Sequence, residues 1–597
     1  MSFQKNRNLT WLVVLLLLAF VAWASAYSLI TPAWEAPDEL GHFNYVAHLL
    51  RTRTLPVQRL GAHDEAHQPP LYYVLAAVAA MPADLEDPTG ALNPNSDFIW
   101  AGQGGNDVNI GFHTSAETFP FQGQALALHL ARGVSVLMGM ITVALTIAIG
   151  WEIFPDRRVI GLMGAAMVAF NPQFLFVSGV INNDNLLVTA ATGAWWQLVR
   201  AIKRPEQSRQ WVWVGLWIAV GALAKVSMFV VGLVAGLVLL ACAVRRRSVQ
   251  LFIRGTLAMT SVVALVAGWW FVRNQLLYGD PLGWSVFRIN FKSVLRRGPL
   301  PWSKVQEFFS VQFRSFWGVF GWMNVNAPDW FYTAVQILLS SSLLGIVLWF
   351  VWRRYRTLTE FQKSALVLLG LAIAVQEGYM LWAVTRFNES WYQGRYIFPI
   401  LGPLMILVSL GLTNWLPKRW SPVLATGLTL ALASVAVLMQ SQVIQPAYAI
   451  VPLPKWTLWL VPHKTDLAFG NTFRLMGYKL NTDRNGSQAT LTLYWQAIQK
   501  PDFDYSVFVH LINGSDQLVA QNDHAPGAQQ GYPPTAWWSG DIISDESRIE
   551  LPAQLAAGPY RFRVGVYNWA TGEQLSVVSG DQQVGHFVVL DQTLYRP

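Results

Sequence analysis

Eleven stretches of this chain are apolar for long enough to cross a hydrocarbon layer of roughly 30 Å, which takes about 20 helical residues. They fall near residues 9–30, 124–150, 159–178, 184–201, 211–224, 227–244, 251–272, 332–352, 364–384, 396–415 and 421–441. Only helices and closed barrels satisfy their own backbone hydrogen bonds inside lipid. Runs of this length therefore commit most of the chain to a polytopic α-helical membrane bundle of about eleven spans. The runs at 211–224 and 227–244 read either as an interrupted pair or as one long bent span.

The basic residues test this count, because cytoplasmic loops carry an excess of Lys and Arg. With Lys5 and Arg7 inside, every second junction is basic. The inner loops hold Arg157 and Arg158; Lys203, Arg204 and Arg209; Arg245, Arg246 and Arg247; Arg353, Arg354 and Arg356; and Lys418 and Arg419. This places the N-terminus in the cytoplasm of a multi-pass plasma-membrane protein. Segments 31–123, 273–331 and 385–395 and the C-terminal region then lie outside. The net charge of +8 reflects these loops, so nucleic acid is not the expected partner. The stretch up to Ile30 reads as an uncleaved first helix rather than a signal peptide. Pro69–Met81 is apolar but too short to span, and reads as an interfacial or re-entrant helix. The outer loop 273–331 carries Arg288, Lys292, Arg296, Arg297, Lys304 and Arg314, as an amphipathic surface helix would.

Composition changes near residue 445. Ala489–Trp495, Tyr505–Leu511, Ile549–Leu551 and Tyr560–Tyr567 alternate as strands do, between the turn signals Asn485-Gly486, Asn513-Gly514, Gly558-Pro559 and Thr571-Gly572. The expected organisation is a membrane domain over 1–444 and an extracytoplasmic β-sandwich over 445–597.

Polar residues gather at the outer helix ends. Pro37 suits a helix start and acids suit its first turn, so Asp38, His42 and Tyr45 are expected on one helical face, with Glu39 beside Asp38. Plain capping explains acids there equally well, but a carboxylate at a membrane surface can also take a proton from a hydroxyl or bind a metal. In His63-Asp64-Glu65-Ala66-His67-Gln68-Pro69-Pro70-Leu71-Tyr72-Tyr73, the two histidines suit a metal only if the segment is helical, which the prolines oppose. Asn182, Asn183, Asp184 and Asn185 in a row exceed what one helix cap needs, and can hydrogen-bond sugar hydroxyls or hold the carboxylate of the first loop. Lys225, Arg273, Arg386 and Arg395 are the cations; Arg395, within Gln393-Gly394-Arg395-Tyr396, suits a phosphate. The single cysteine, Cys242, lies in an apolar run and reads as a small hydrophobe. No metal ligand set or cofactor is fixed by the sequence, although a divalent metal is compatible with the carboxylates. No P-loop or dinucleotide fingerprint is present, so an activated sugar would arrive on a lipid.

Asp38-Glu39 after the first helix, Pro69-Pro70-Leu71, His129-Leu130-Ala131-Arg132 and Gln393 to Tyr396 together resemble the GT-C superfamily of polyprenyl-phosphate-sugar glycosyltransferases. The closer likeness is to its aminoarabinose-transferase and protein O-mannosyltransferase branch. The resemblance covers residues 1–440. It implies a catalytic carboxylate at Asp38, with Glu39 as neighbour and either of the two as the acting base, and basic residues, Arg395 with Lys225 and Arg273, around the leaving phosphate. Gln68 and Tyr72, in the loop with the Pro-Pro-Leu element, and Tyr396 fall with the substrate-binding candidates. The expected activity is transfer, with inversion, of a sugar from a polyprenyl-phosphate donor to a glycan, lipid or protein acceptor at the bilayer surface. Two other functions fit the same runs: a transporter or flippase of lipid-linked glycans, and a membrane-anchored glycan-binding or assembly protein. A flippase needs polar residues deep within several spans, whereas here they crowd the outer ends.

Overall fold

The computed structural model describes residues 2–596 except 63, 96, 101–102, 105–106, 115–116, 449–450, 484–486, 553–554 and 581. His63 and the Asn485-Gly486 turn therefore lie outside the described residues. The chain forms two compact units. The first comprises Met1–Pro88, Ile99–Gly104 and Gly123–Tyr448; the second comprises Thr89–Phe98, Gly105–Gln122 and Ala449–Pro597.

The first unit is helical and is that of a multi-pass membrane protein. Among the described residues, eight helices are long and apolar enough to cross a membrane, or nine if a bent pair counts as one span. The helices begin with α1 (Ser2–Ile30), α2 (Glu39–Thr52), α3 (Leu71–Ala80) and α4 (Gly123–Ile153). The apolar run 159–178, read from sequence as one span, is instead α5 (Val159–Ala169) and α6 (Pro172–Ser178), bent by 65°. Asn171-Pro172 causes the break. The Asn171 side chain accepts from the Phe174 nitrogen at 3.1 Å, and Pro172 takes the first helical position, where a missing N–H costs nothing. Next come α7 (Asp184–Lys203) and α8 (Ser208–Ala222), then α9 (Phe229–Arg245) and α10 (Val249–Tyr278). The 211–244 region is thus a pair of helices, interrupted at 223–228. The helices α7 and α8 fall outside the eight: α8 has 15 residues, and α7 is amphipathic and buried over most of its length.

The short helix α3 buries Tyr72, Tyr73, Ala76, Ala77 and Ala80 and leaves Val74, Leu75 and Val78 exposed. It is too short to span. The outer loop contributes α11 (Trp284–Asn290) and the amphipathic α12 (Trp302–Trp317); α13 (Asp329–Val351), α14 (Glu360–Val384), α15 (Leu401–Thr413) and α16 (Ser421–Met439) complete the bundle. Thr359 and Gln362 form a reciprocal capping box at the start of α14, satisfying two otherwise orphaned amides.

The second unit holds two antiparallel sheets. One has six strands in the order Ile542–Glu550, Gln488–Ala497, Phe473–Thr482, His463–Phe469, Val577–Ser579 and Gln582–Gly585. The other has four, in the order Val588–Arg596, Gly558–Tyr567, Ser506–Ile512 and Leu518–His524. Alternate residues of both, among them Leu491, Leu493, Trp495, Val507, Val509, Phe562 and Val564, bury into one core, as the period of two requires. Gly558-Pro559, expected as a turn, instead opens a strand: Pro559 pairs with Tyr595 before pairing to the Ser506–Ile512 strand begins at Arg561. A strand's first residues tolerate proline because they need not donate on both sides. The unit also takes in two stretches of the first loop. Asn93 donates to the Ala536 carbonyl at 3.2 Å, and the Phe112 ring meets Tyr532 edge-on.

Candidate active site

Four charged side chains from distant parts of the sequence form an alternating chain in the helical unit. Asp38 accepts from Arg395 Nη2 at 2.7 Å. Arg395 Nε lies 4.0 Å from Asp184 Oδ2, and Asp184 Oδ1 accepts from Lys225 Nζ at 2.5 Å. The Tyr396 ring carries both cations, Lys225 at 5.3 Å and Arg395 at 5.2 Å from its centroid, a cation–π arrangement that gains strength as water is excluded.

Local structure sets each member. Asp38 is not within the first turn of α2, as the sequence reading had it, but at the N-cap position with φ 68°. Trp34 is also left-handed, at φ 71°, so the chain reverses sharply between them. Asp tolerates this conformation better than most residues. The turn directs Asp38 towards Arg395 instead of along the helix face with His42. Asp184 sits in the first turn of α7, where the helix dipole favours a carboxylate, and Asn182 Oδ1 accepts from its amide at 2.8 Å. Lys225 occupies the extended break after α8. This break also supplies the Leu223 carbonyl to the Leu71 amide and the Ala224 carbonyl to Asn183 Nδ2, at 3.0 and 2.9 Å. Arg395 lies in the tight turn Gly394–Ile400 ahead of α15.

Gly394 has a steric role. A Cβ there would overlap the Phe316 nitrogen and the Gln312 carbonyl, both backbone atoms of α12, while its own amide donates to Ser315 Oγ at 2.7 Å. Gly394→Ala should therefore displace the turn and Arg395 with it. We expect at least a tenfold loss of whatever activity depends on Arg395, measured beside Gly427→Ala, where nothing lies within 4 Å of the added methyl. Equal activity in the two variants would contradict this.

A second layer holds this chain. Gln68 joins Glu65 at 3.1 Å to Asn183 at 3.2 Å. His42 Nδ1 bonds the Tyr73 hydroxyl at 2.8 Å, and Tyr73 stacks on Tyr45 at 3.9 Å. The Tyr72 hydroxyl bonds Ser135 at 2.7 Å and accepts from the Asn182 amide at 3.0 Å. Glu65 and Tyr73 were not singled out from sequence. The fold sets Glu65 against Gly41, where an added Cβ would stand 3.2 Å from the Glu65 Cγ.

Electrostatics divide the acids. Burial alone would lift the Asp38 carboxyl, but the Arg395 guanidinium, with His42 and Lys225, outweighs it and holds the group below the usual carboxylate range. Burial pushes Glu65 up and His42 down. Environments that drive neighbouring acids apart are a mark of acid–base sites. The Asp38 side chain keeps 42% of its surface accessible, whereas that of Asp184 keeps 3%. Arg395 Nε, Asp184 Oδ2 and Asn183 Oδ1 are buried without hydrogen-bond partners. Buried polar atoms left without a partner keep the capacity to bond a polar ligand.

Glu39 stands apart. It is fully buried against Arg132, whose Nε and Nη2 donate to it at 2.8 and 2.6 Å. Its oxygens also accept from the Ile181 and Trp34 amides, at 2.9 and 3.3 Å. Arg273 donates to the Pro56 carbonyl at 2.7 Å and lies over Trp270, in place of joining Arg395 and Lys225. Gln393 is the N-cap of the Gly394–Ile400 turn. His67 packs between Phe287 and Phe291 in a segment that is not helical, and burial lowers it to about 4. Among the described residues no group of three or more His, Cys, Asp or Glu could hold a metal ion.

A family model described as "Predicted membrane protein (DUF2142)" matches residues 124–407. No curated protein matches the sequence. Among solved structures, the chain is similar to ArnT from Cupriavidus metallidurans bound to undecaprenyl phosphate, at 14% identity and TM-score 0.43, over 73% of this chain and 74% of that one. It is also similar to the arabinofuranosyltransferase AftD from Mycobacteria, at 13% identity and TM-score 0.41, over 76% of this chain and 28% of that one. A third is the Archaeoglobus fulgidus oligosaccharyltransferase, at 12% identity and TM-score 0.36, over 73% and 52%.

Proposed function

We propose that this protein transfers a sugar from a polyprenyl-phosphate donor to an acceptor hydroxyl on the extracytoplasmic face of the plasma membrane, with the N-terminus cytoplasmic and residues 445–597 outside. The observation that carries this reading is the accessible Asp38 carboxylate paired with a buried arginine that has a donor to spare.

In this reading the acceptor oxygen attacks the anomeric carbon as the bond from that carbon to the phosphate oxygen breaks. Inversion follows from a single displacement. Asp38 receives the hydroxyl proton, and polyprenyl phosphate departs towards Arg395 and Lys225. A planar guanidinium suits a phosphate, and fixed cations near developing charge lower the barrier most. The pairing also couples binding to chemistry. While Arg395 is committed to Asp38 the carboxylate is a weak base. A donor phosphate that draws the guanidinium towards itself removes the main influence holding Asp38 down, so the base strengthens when there is something to deprotonate. In this account Glu39 is structural, and Asn182, Asn183, Gln68, Tyr72 and Tyr45 shape the walls.

Two results test this. Purified protein should bind polyprenyl phosphate, and Arg395→Gln should weaken binding at least tenfold; unchanged binding would remove the phosphate seat. The same variant should alter the pH profile. With its pKa depressed in the free protein, Asp38 stays ionised until pH falls below its ordinary 3.8, so kcat/KM of the parent, which reports the free enzyme, should show no acid limb from this group between pH 5 and 8. The stability from the ion pair likewise holds above that value and is lost as pH falls through the depressed one. Without Arg395, burial raises the carboxyl, and the residual activity should gain an acid limb at higher pH than in the parent. An identical profile would separate Asp38 from proton transfer.

A further inference from the structure

The hairpin of α7 and α8 carries a groove that the transferase reading does not use. It has a volume of about 550 Å³, and its lining includes Trp196, Arg200, Arg209, Trp213, Leu216 and Val220. From Arg209 to Val220 is eleven residues, about 17 Å at 1.5 Å rise each. That matches one leaflet of a hydrocarbon layer roughly 30 Å thick. The far end is aliphatic and aromatic, and Trp213 is 48% exposed. Both arginines stand at the other end, beside the turn that joins the helices. The floor there is closed by Gln197, which donates to Gln210 Oε1 at 2.5 Å, with both residues buried.

The charge at this end is uncompensated. Lys203 pairs with Glu152 at 2.8 Å and Arg246 with Glu206 at 3.1 Å. Among the described residues Arg200 and Arg209 have no such partner; Arg200 only lies over the Trp196 ring, at 4.9 Å. An apolar channel of leaflet depth with two free guanidinium groups at its mouth has the polarity of one phospholipid tail beneath an anionic headgroup. Basic pockets between transmembrane helices bind such headgroups, and arginine suits their phosphate.

We infer that this groove is a binding site for an anionic phospholipid, with the headgroup phosphate held by Arg200 and Arg209 and one acyl chain lying along Trp213 and Leu216 towards Val220. The site is independent of the Asp38 cluster and tests separately from it.

Native mass spectrometry of the detergent-purified full chain, supplied with phosphatidylglycerol or phosphatidylcholine, decides the matter. The parent should retain phosphatidylglycerol at least tenfold better. Arg200→Gln/Arg209→Gln should abolish that preference, and Leu216→Trp should reduce retention of both lipids. Should the double variant fail to fold, Arg200→Gln and Arg209→Gln singly should each reduce the preference, and an undiminished preference in both overturns the inference. Equal retention of the two lipids by the parent, or undiminished phosphatidylglycerol on a folded double variant, overturns the inference. So does displacement of phosphatidylglycerol by equimolar polyprenyl phosphate, which would assign the groove to the donor lipid.

Discussion

Asp38→Asn should abolish sugar transfer by a factor of about 10³, in the middle of the range for removing a general acid or base, while leaving the protein folded. The amide keeps the shape and can still accept from Arg395, so donor binding should survive within a few-fold. It cannot hold the acceptor's proton. The side chain is accessible and caps nothing, since no side-chain hydrogen bond is made at the start of α2, so the stability lost should be that of the Arg395 ion pair alone and the variant should stay folded. A kcat effect with an unchanged donor KM is the signature of a group needed only in the transition state. A variant that transfers at the parental rate would leave the carboxylate without its role.

Glu39, one residue later, should behave in the opposite way. Arg132 spends its donors on Glu39 and on the Ser28, Thr31 and Pro32 carbonyls, at 2.6 to 2.9 Å. It thereby ties α4 to the end of α1 and the turn that presents Asp38. Removing one partner of a buried pair strands the other charge, at a cost of about 3–5 kcal/mol. Arg132→Met should therefore cost most of the folded protein, seen as a large fall in thermal midpoint and in monodisperse yield. Replacing both members, Glu39→Met/Arg132→Met, should cost less than the sum of the single changes, because no charge is left alone. Additive losses would mean that the two do not act as a pair. Adjacent acids, one lost without unfolding and the other lost with it, would separate the two roles that their shared motif leaves joined.

The extent of this site that can be read from sequence follows from range. Apolar runs are local signals, and all eleven segments are helical. The 65° break at Asn171-Pro172 was also written locally, as a cap followed by proline, but the uninterrupted hydropathy masked it. Asp38, Asp184, Lys225 and Arg395 were each visible as polar residues at helix ends. Their partners were not: Asp38 and Arg395 are 357 positions apart, and no spacing rule reaches that far. Arg273 matched the pattern equally well and went elsewhere, to Pro56 and Trp270, because cation patterns do not encode direction. Asp38 stands at the N-cap of α2 rather than inside the helix, in a segment where two residues are left-handed. Glu65, one of two adjacent acids in a polar loop, looks solvated until the fold buries it. The 89–122 stretches joined the β unit through contacts such as Asn93 to Ala536, which composition cannot foresee.

The central claim is most directly tested by incubating purified protein with a panel of radiolabelled polyprenyl-phosphate sugars and envelope extract as the source of acceptors. The account predicts that one donor is consumed and its sugar appears on an acceptor, with Asp38→Asn inactive on that donor. If no donor is consumed by folded protein that binds polyprenyl phosphate, the transferase reading is contradicted and movement of lipid-linked glycans takes its place.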